Sequence, residues 1–270
     1  MIKMPGKSYS DPLPPLTDDQ ITLRAELRRH IDALAGKIGD KNTLNYINLS
    51  AAADYIESAL TDAGHTPRRQ NFTADAKTCS NIEVQITGST HPDEIVVIGS
   101  HYDSVYGSPG ANDNCSAVAA NLALARRFKD TRPDRTLRFL FFANEEMPFF
   151  QTDQMGSRVY AKSCRDKNEN IVAMLSIETI GYYTDSPNSQ KYPFPSQGGA
   201  IPEFIPGINW SDHDSFWQYN YPAIMVTDTA PYRYPYYHSP DDTIDKICFD
   251  HLTRVTSGLQ SVIYDLATSN

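Results

Sequence analysis

Two histidines and five carboxylates, residue types that bind divalent metals, lie in short motifs along this chain. The motifs are G-S-H-Y-D-S, G-A-N-D-N, N-E-E, S-I-E-T-I-G and Y-Y-H-S-P-D-D-T, and the residues are His101, Asp103, Asp113, Glu145, Glu146, Glu178 and His238. Zinc accepts imidazole nitrogen and carboxylate oxygen. Two metals about 3.5–4 Å apart need a bridging ligand, and a carboxylate has two oxygens for that purpose. Because a further carboxylate can take a proton from an attacking water, the set predicts a metallohydrolase.

Taken singly, these residues have simpler explanations than metal binding. His101 could be a hydrogen-bonded histidine, His238 a surface histidine, and Asp113 a helix N-cap. Glu145 and Glu146 could form a solvated turn. However, these two acids follow a mostly apolar stretch of seven residues, where they would be costly without a partner. Considered together, the residues favour a metal site.

Strand and helix patterns alternate along the chain. Apolar spacing and stop signals predict helices near 17–34, 49–63, 115–128, 155–164 and 248–267. Strands are predicted near 67–74, 81–87, 94–100, 137–143, 171–177 and 222–226, and 184–210 is predicted to be a long loop. This alternation predicts an α/β fold of three layers, in which a mixed, mostly parallel central sheet has helices on both faces.

The predicted strands bring the metal-binding residue types to one edge of the sheet. His101 follows strand 94–100, the adjacent glutamates follow strand 137–143, and Glu178 ends strand 171–177. Ligand sites in open α/β sheets lie outside the carboxyl ends of the strands. Asp113 precedes a helix, where free backbone N–H groups favour a carboxylate. Acids unrelated to function would be scattered rather than placed at three separate strand ends.

Composition limits the class of protein. The chain has 270 residues, of which 40% are hydrophobic, and a net charge of −9. This acidity argues against a nucleic-acid partner. The chain has no apolar run of about 18 residues, so no membrane span is predicted. We expect an extended N-terminal arm over 1–16 and one catalytic domain over 17–270. The four widely spaced cysteines are expected to be mostly buried free thiols.

The start of the chain is polar and proline-rich, without the apolar core of a signal peptide. We therefore expect a cytoplasmic protein if Met1 is the natural start. If a signal peptide has been removed, the expectation is a secreted or periplasmic protein.

The motifs, in this order, resemble those of the di-zinc exopeptidases of the bacterial leucyl aminopeptidase type. Glutamate carboxypeptidase and glutaminyl cyclase belong to the same superfamily, and the resemblance runs from about 79 to 266. It implies two zinc ions bridged by Asp113, one completed by His101 and Glu178 and the other by Glu146 and His238. It also implies a cis peptide bond between Asp113 and Asn114.

The same resemblance implies catalytic roles. Glu145 would act as general base and later as general acid, and Asp103 would accept a hydrogen bond from the far nitrogen of a metal-bound His101. Tyr237 would stabilise the oxyanion, as a tyrosine does in some relatives, or it would only pack in the wall of the site. One departure is Glu178, because relatives usually have aspartate there; its longer side chain changes the reach of this ligand.

A second departure is the stretch 147–154, which is longer than the simplest family pattern. Its Phe149 and Phe150 are predicted either to line a substrate pocket or to pack in the core. A tyrosine-rich rim suits apolar peptide side chains or loop packing: Tyr182, Tyr183, Tyr232, Tyr234 and Tyr236. Of these, Tyr232 is also predicted to line the substrate pocket. In segment 210–217 we expect a helix whose N-terminus is capped by Ser211 or Asp212. The alternative is that Asp212, His213 and Asp214 position the substrate or the nearby loop.

These patterns favour a metallo-aminopeptidase that removes an apolar residue from a peptide with a free N-terminus. Three alternatives remain open, and the oligomeric state is not predicted. A glutaminyl cyclase would need only one zinc. A carboxypeptidase or dipeptidase would need a basic group for the substrate carboxylate, such as Arg158, Lys191 or Arg233. A non-catalytic binding protein would have lost ligands, whereas this chain retains the full set.

Overall fold

The computed structural model describes residues 11–186, 189, 207–228 and 230–268. Its sheet contains six strands: β1 (Arg68–Ala74), β2 (Lys77–Ile86), β3 (His91–His101), β4 (Arg135–Phe142), β5 (Asn170–Glu178) and β6 (Ala223–Thr227). In the order β1-β2-β4-β3-β5-β6, the first two pairings are antiparallel and the last three are parallel. The predicted mixed sheet is therefore confirmed.

Helices cover both faces of the sheet. They are α1 (Asp18–Ile31), α2 (Tyr46–Asp62), α3 (Cys115–Phe128), α4 (Gly156–Asp166), α5 (Asp212–Trp217), α6 (Ala230–Arg233) and α7 (Phe249–Ala267). A π-helical segment, Asp32–Ile38, continues α1, and a 3-10 turn spans Ile244–Lys246. No helix in the described ranges is long and apolar enough to cross a bilayer.

The central strands are buried on both faces, which explains their continuous apolar sequences. In β3, Val96 and Ile98 belong to the core shared with α1, α2, α3 and α7. Ile95 and Val97 belong to the opposite core, together with residues of α4 and α5. Because successive side chains of a strand point to opposite faces, this division produces the three layers predicted from the sequence.

Most predicted elements occur within a few residues of their expected bounds, although β2 begins four residues before its predicted start. The cysteine prediction is confirmed, since all four thiols are free and three are buried. Residues 11–16 have no helix or strand, and the rest of the predicted arm lies outside the described residues. The same is true of 187–188 and 190–206 in the predicted long loop.

An ion pair joins α1 to α3 at the edge of the larger core. The guanidinium of Arg126 donates from Nε and Nη2 to the two carboxylate oxygens of Glu26, at 2.7 and 2.6 Å. Burial of Glu26 raises its pKa, but the nearby His30 and the hydrogen bonds from Arg126 outweigh burial and lower the pKa to about 2. The folded chain therefore stabilises the charged form of Glu26.

Glu26→Gln is expected to destabilise the protein by about 1 to 2 kcal/mol near neutral pH, allowing for solvent screening of the exposed Arg126. Because the Glu26 pKa is lower in the folded chain, its contribution is complete above about pH 5 and is lost as the pH falls toward about 2. Urea unfolding of both proteins over this range measures the effect. The two stability curves should converge at low pH; a constant separation would contradict the prediction.

Candidate active site

Proposed metal-binding side chains meet at the carboxyl ends of β3, β4 and β5. His101 is the last residue of β3 and Glu178 the last of β5, while Glu145 and Glu146 lie on the loop after β4. Asp113 precedes α3, and its peptide bond to Asn114 is cis, as expected from the resemblance. His238 lies on the loop after α6. The sheet thus brings together residues up to 137 positions apart in the chain.

Asp113 lies between two groups of potential ligands. Its Oδ1 is 3.4 Å from His101 Nε2, which is also 3.3 Å from Glu178 Oε2. Its Oδ2 is 3.2 Å from His238 Nε2, which is also 3.2 Å from Glu146 Oε2. In each group the ligand atoms lie within 4.8 Å of one another. The two oxygens of one carboxylate therefore face two separate groups of potential ligands.

The electrostatics of this cluster fit divalent cations. Burial raises the pKa of the Glu145 carboxyl well above its usual range, and repulsion by Glu146 adds to that effect. Burial and the charge of Asp113 raise the pKa of Glu146 to about 7. Burial also raises the pKa of Glu178. A bound cation would relieve both causes, since its positive charge replaces lost solvation and offsets repulsion. The mixed imidazole and carboxylate donors match zinc.

Asp103 connects the histidine to the glutamate loop. Its carboxylate accepts hydrogen bonds from the backbone N–H groups of Glu145 and Glu146, both at 3.1 Å. The Oδ1 atom also lies 3.4 Å from His101 Nδ1, which is 3.3 Å from the backbone oxygen of Asp103. Asp103 is thus placed to orient the imidazole and to fix the loop that carries both glutamates.

Asp103→Asn is expected to weaken zinc binding about 10- to 100-fold, because an amide cannot accept both backbone hydrogen bonds and orient His101. Competition with a chromogenic chelator measures the change in affinity. Asp130→Asn is a suitable control, since Asp130 is exposed and pairs only loosely with Lys129 at 3.4 Å. Equal zinc affinity in the Asp103 variant and the wild type would contradict this role.

Asp242 contributes an interaction that sequence reasoning missed. Its carboxylate accepts the backbone N–H groups of Asn112 and Asp113 at 2.8 and 3.0 Å, and Tyr234 donates its hydroxyl to it at 2.5 Å. Asp242 belongs to the same motif as His238, so it ties the histidine loop to the loop of the bridging carboxylate. The acid was visible in the motif, but its backbone partners are 129 and 130 residues away.

Asn114 was also missed as a residue that holds the end of β5. Its side-chain oxygen accepts the N–H of Thr179 at 3.0 Å, and its Nδ2 donates to Glu178 Oε2 at 3.3 Å.

Thr179 and His238 have positive φ angles of 45° and 54°. Such angles are unfavourable for residues with a β-carbon, and strained backbone of this kind is concentrated at functional sites.

The predicted cap of α5 is wrong. Ser211 occupies the N-cap position, but no side chain caps the helix. Instead, Ser211 Oγ donates to Glu178 Oε2 at 2.8 Å and contacts Ser176 Oγ at 2.9 Å. The hydroxyl is therefore directed toward the buried Glu178 carboxylate and away from the helix amides.

A cavity of about 220 Å³ opens over the cluster. Its described wall contains the following residues: Asp113, Glu145, Glu146, Met147, Phe150, Glu178, Trp210, Tyr237 and His238. The Tyr237 ring stacks on His238, with ring centroids 3.8 Å apart. Burial and the neighbouring carboxylates raise the pKa of Tyr237 far above its usual range, so the phenol keeps its proton.

Two of the three predicted pocket residues lie elsewhere. Phe149 is 7% exposed and packs in the larger hydrophobic core, so the pocket prediction for it is wrong. Tyr232 is absent from the described cavity wall and lies near Gly207 instead. Phe150 does lie in the wall. Adjacent loop residues point in different directions, and no periodicity in the sequence distinguishes them.

Comparisons with known proteins agree with this geometry. The profile of peptidase family M28 matches residues 81–263. The uncharacterised Escherichia coli (strain K12) protein YfbL is 30% identical, over 89% of this chain and 87% of its own length. The structure of an aminopeptidase from Aneurinibacillus sp. strain AM-1 is 31% identical, with a TM-score of 0.55. This likeness covers 72% of our chain and about half, 49%, of that one.

A zinc aminopeptidase from Bacillus subtilis shares the fold. Its structure has a TM-score of 0.73 at 15% identity and covers 91% of this chain and 95% of its own. The family profile spans more than half of the chain, and the resemblance seen in the motifs is thereby confirmed. The chain belongs to peptidase family M28.

Proposed function

We propose that this protein is an aminopeptidase that binds two zinc ions and removes an apolar residue from the free N-terminus of a peptide. The observation that carries the proposal is the position of Asp113 between the two ligand groups. His101 and Glu178 would hold one ion, and Glu146 and His238 would hold the other. Asp113 would contribute to both sites. When bound, zinc polarises the scissile carbonyl and makes water more acidic.

The side chains around the ligands have distinct roles in this proposal. Glu145 belongs to neither ligand group but lines the cavity, so its carboxylate can take a proton from water and pass it to the leaving amine. Its raised pKa suits a group that must both accept and donate this proton. The protonated Tyr237 phenol also lines the cavity and can donate a hydrogen bond to the developing oxyanion.

The described wall of the cavity offers no basic group for a substrate carboxylate. Four carboxylates and no lysine or arginine are found in its described wall. Arg158, a candidate for holding a C-terminal carboxylate, pairs instead with Asp214 at 3.0 Å. Lys191 lies outside the described residues. Because a carboxypeptidase needs a basic group for the substrate carboxylate, and the described wall of the cavity offers none, these contacts support an aminopeptidase.

The size and chemistry of the cavity support a single apolar side chain. Phe150 and Trp210 contribute aromatic surface, and a hydrogen bond from Gln151 Nε2 to Asn209 O at 3.3 Å joins the segments that carry them.

A glutaminyl cyclase with one zinc would not need a second ligand group. His101, Asp113 and Glu178 form that second group, which favours hydrolysis.

A panel of substrates tests this function. Leucyl-nitroanilide should be cleaved, N-acetyl-leucyl-nitroanilide should not, and a chelator should abolish cleavage. Dependence on the free amine is expected because a cavity of about 220 Å³ that ends at the metal cluster has little room for an added acetyl group. Cyclisation of a glutaminyl peptide without release of leucine would overturn the aminopeptidase assignment in favour of the cyclase. Cleavage of an N-acetylated peptide from its C-terminus would favour the carboxypeptidase.

A further inference from the structure

We infer that an exposed apolar strip beside the cavity binds the second and third residues of the substrate peptide and selects apolar or aromatic side chains there. This inference rests on the proposed function. The strip consists of Leu44, Ile47, Tyr106 and Met147, whose exposed fractions are 68%, 84%, 68% and 65%. We call these four residues the peptide strip.

The peptide strip continues the wall of the cavity. Met147 lines the cavity and directly follows the proposed ligand Glu146. The backbone N–H of Val105 donates to Glu146 Oε1 at 3.1 Å, so the next residue, Tyr106, also lies beside this ligand. Exposed apolar surface thus begins inside the cavity and passes out of it at the Glu146 end of the metal cluster.

Asp40 joins the remaining part of the strip to Tyr106. Its Oδ2 atom accepts the N–H of Gly107 at 3.0 Å and the side-chain amide of Asn45 at 2.7 Å. Gly107 follows Tyr106 and Asn45 follows Leu44, so one oxygen holds the two segments together. Leu44 lies in the turn just before α2, and Ile47 is the second residue of that helix, so both belong to the segment that Asn45 ties to Asp40.

The strip lies on the path of a peptide that leaves the cavity at the Glu146 end. Asp113 presents opposite oxygens to the Glu178 group and to the Glu146 group. A peptide whose N-terminal residue fills the cavity and that passes Glu146 comes directly onto the strip. The cavity of about 220 Å³ has room for little more than the residue to be removed, so the following residues must lie on its rim.

The chemistry of the strip identifies the occupant as apolar. Large side chains that are exposed together, rather than scattered singly, mark a surface that binds a partner. Asp40 also makes this region unfavourable for a nearby free C-terminus. We therefore expect the enzyme to act better on peptides of at least four residues than on dipeptides.

The test compares two amidated peptides, Leu-Phe-Phe-Ala and Leu-Ala-Ala-Ala, with the full chain loaded with zinc. We expect kcat/KM to be about tenfold higher for the phenylalanine peptide. Tyr106→Ser and the double variant Leu44→Ser, Ile47→Ser should each reduce this ratio toward one, mainly through KM. Tyr264→Ser on α7, a residue that is 60% exposed outside the strip, is the matched control and should keep the wild-type ratio.

Each outcome bears on the inference. A wild-type ratio near one, or the same high ratio in the strip variants, would overturn the strip while leaving the aminopeptidase function intact. Failure of the wild type to release leucine from any substrate would instead overturn the proposed function. A wild-type dimer that Tyr106→Ser converts to a monomer, with no change in the ratio, would assign the strip to contact between two copies of the chain.

Discussion

Glu145→Gln is expected to lower kcat for leucyl-nitroanilide by about a thousandfold, while the protein keeps its zinc. Glutamine has nearly the same shape but cannot take a proton from water. Glu145 also lies outside both ligand groups, so its replacement leaves the ligands in place. Steady-state kinetics together with elemental analysis of the same preparation measure the two effects.

The neighbouring Glu146→Gln variant is the matched control for this prediction. Glu146 belongs to the group with Asp113 and His238, so its substitution should reduce zinc content as well as activity. The adjacent glutamates are therefore expected to give opposite results for metal retention. If Glu145→Gln lost zinc and Glu146→Gln retained it, the proposed roles of the two residues would be reversed.

The second large effect is expected for Asp113→Asn. Each oxygen of this carboxylate faces a different ligand group, and an amide offers only one oxygen for a metal. We expect at most one zinc per chain, an affinity lower by about 100-fold or more, and no measurable peptide hydrolysis.

Asp130→Asn provides the comparison for Asp113→Asn, because it removes one exposed negative charge and leaves the metal cluster unchanged. Circular dichroism of both variants shows whether the chain is folded. A folded Asp113→Asn protein that still bound two zinc ions with wild-type affinity would contradict the bridging role.

Much of the site could be predicted because it follows from the topology of the sheet. His101 and Glu178 each end a continuous apolar strand, and parallel strands end at a common edge. The position of Asp113 between two groups could not be obtained in this way. That position was expected only from the resemblance in the motifs. Asp113 and His238 lie on loops, and hydrophobic periodicity does not specify loop conformation.

The parts that could not be predicted are interactions between distant loops. Ser211 was expected to cap a helix, yet its hydroxyl binds Glu178, 33 residues earlier in the chain. Phe149 and Phe150 are adjacent and chemically identical, but only Phe150 reaches the cavity. In both cases local sequence permits either conformation, and tertiary contacts determine which one occurs.

The most direct test of the account is a zinc titration of the metal-free chain, with leucyl-nitroanilide hydrolysis followed at each addition. Because two ligand groups share Asp113, we predict that activity rises until two equivalents are bound, and that elemental analysis finds two zinc ions per chain. Saturation at one zinc ion per chain, with no hydrolysis, would contradict the central claim.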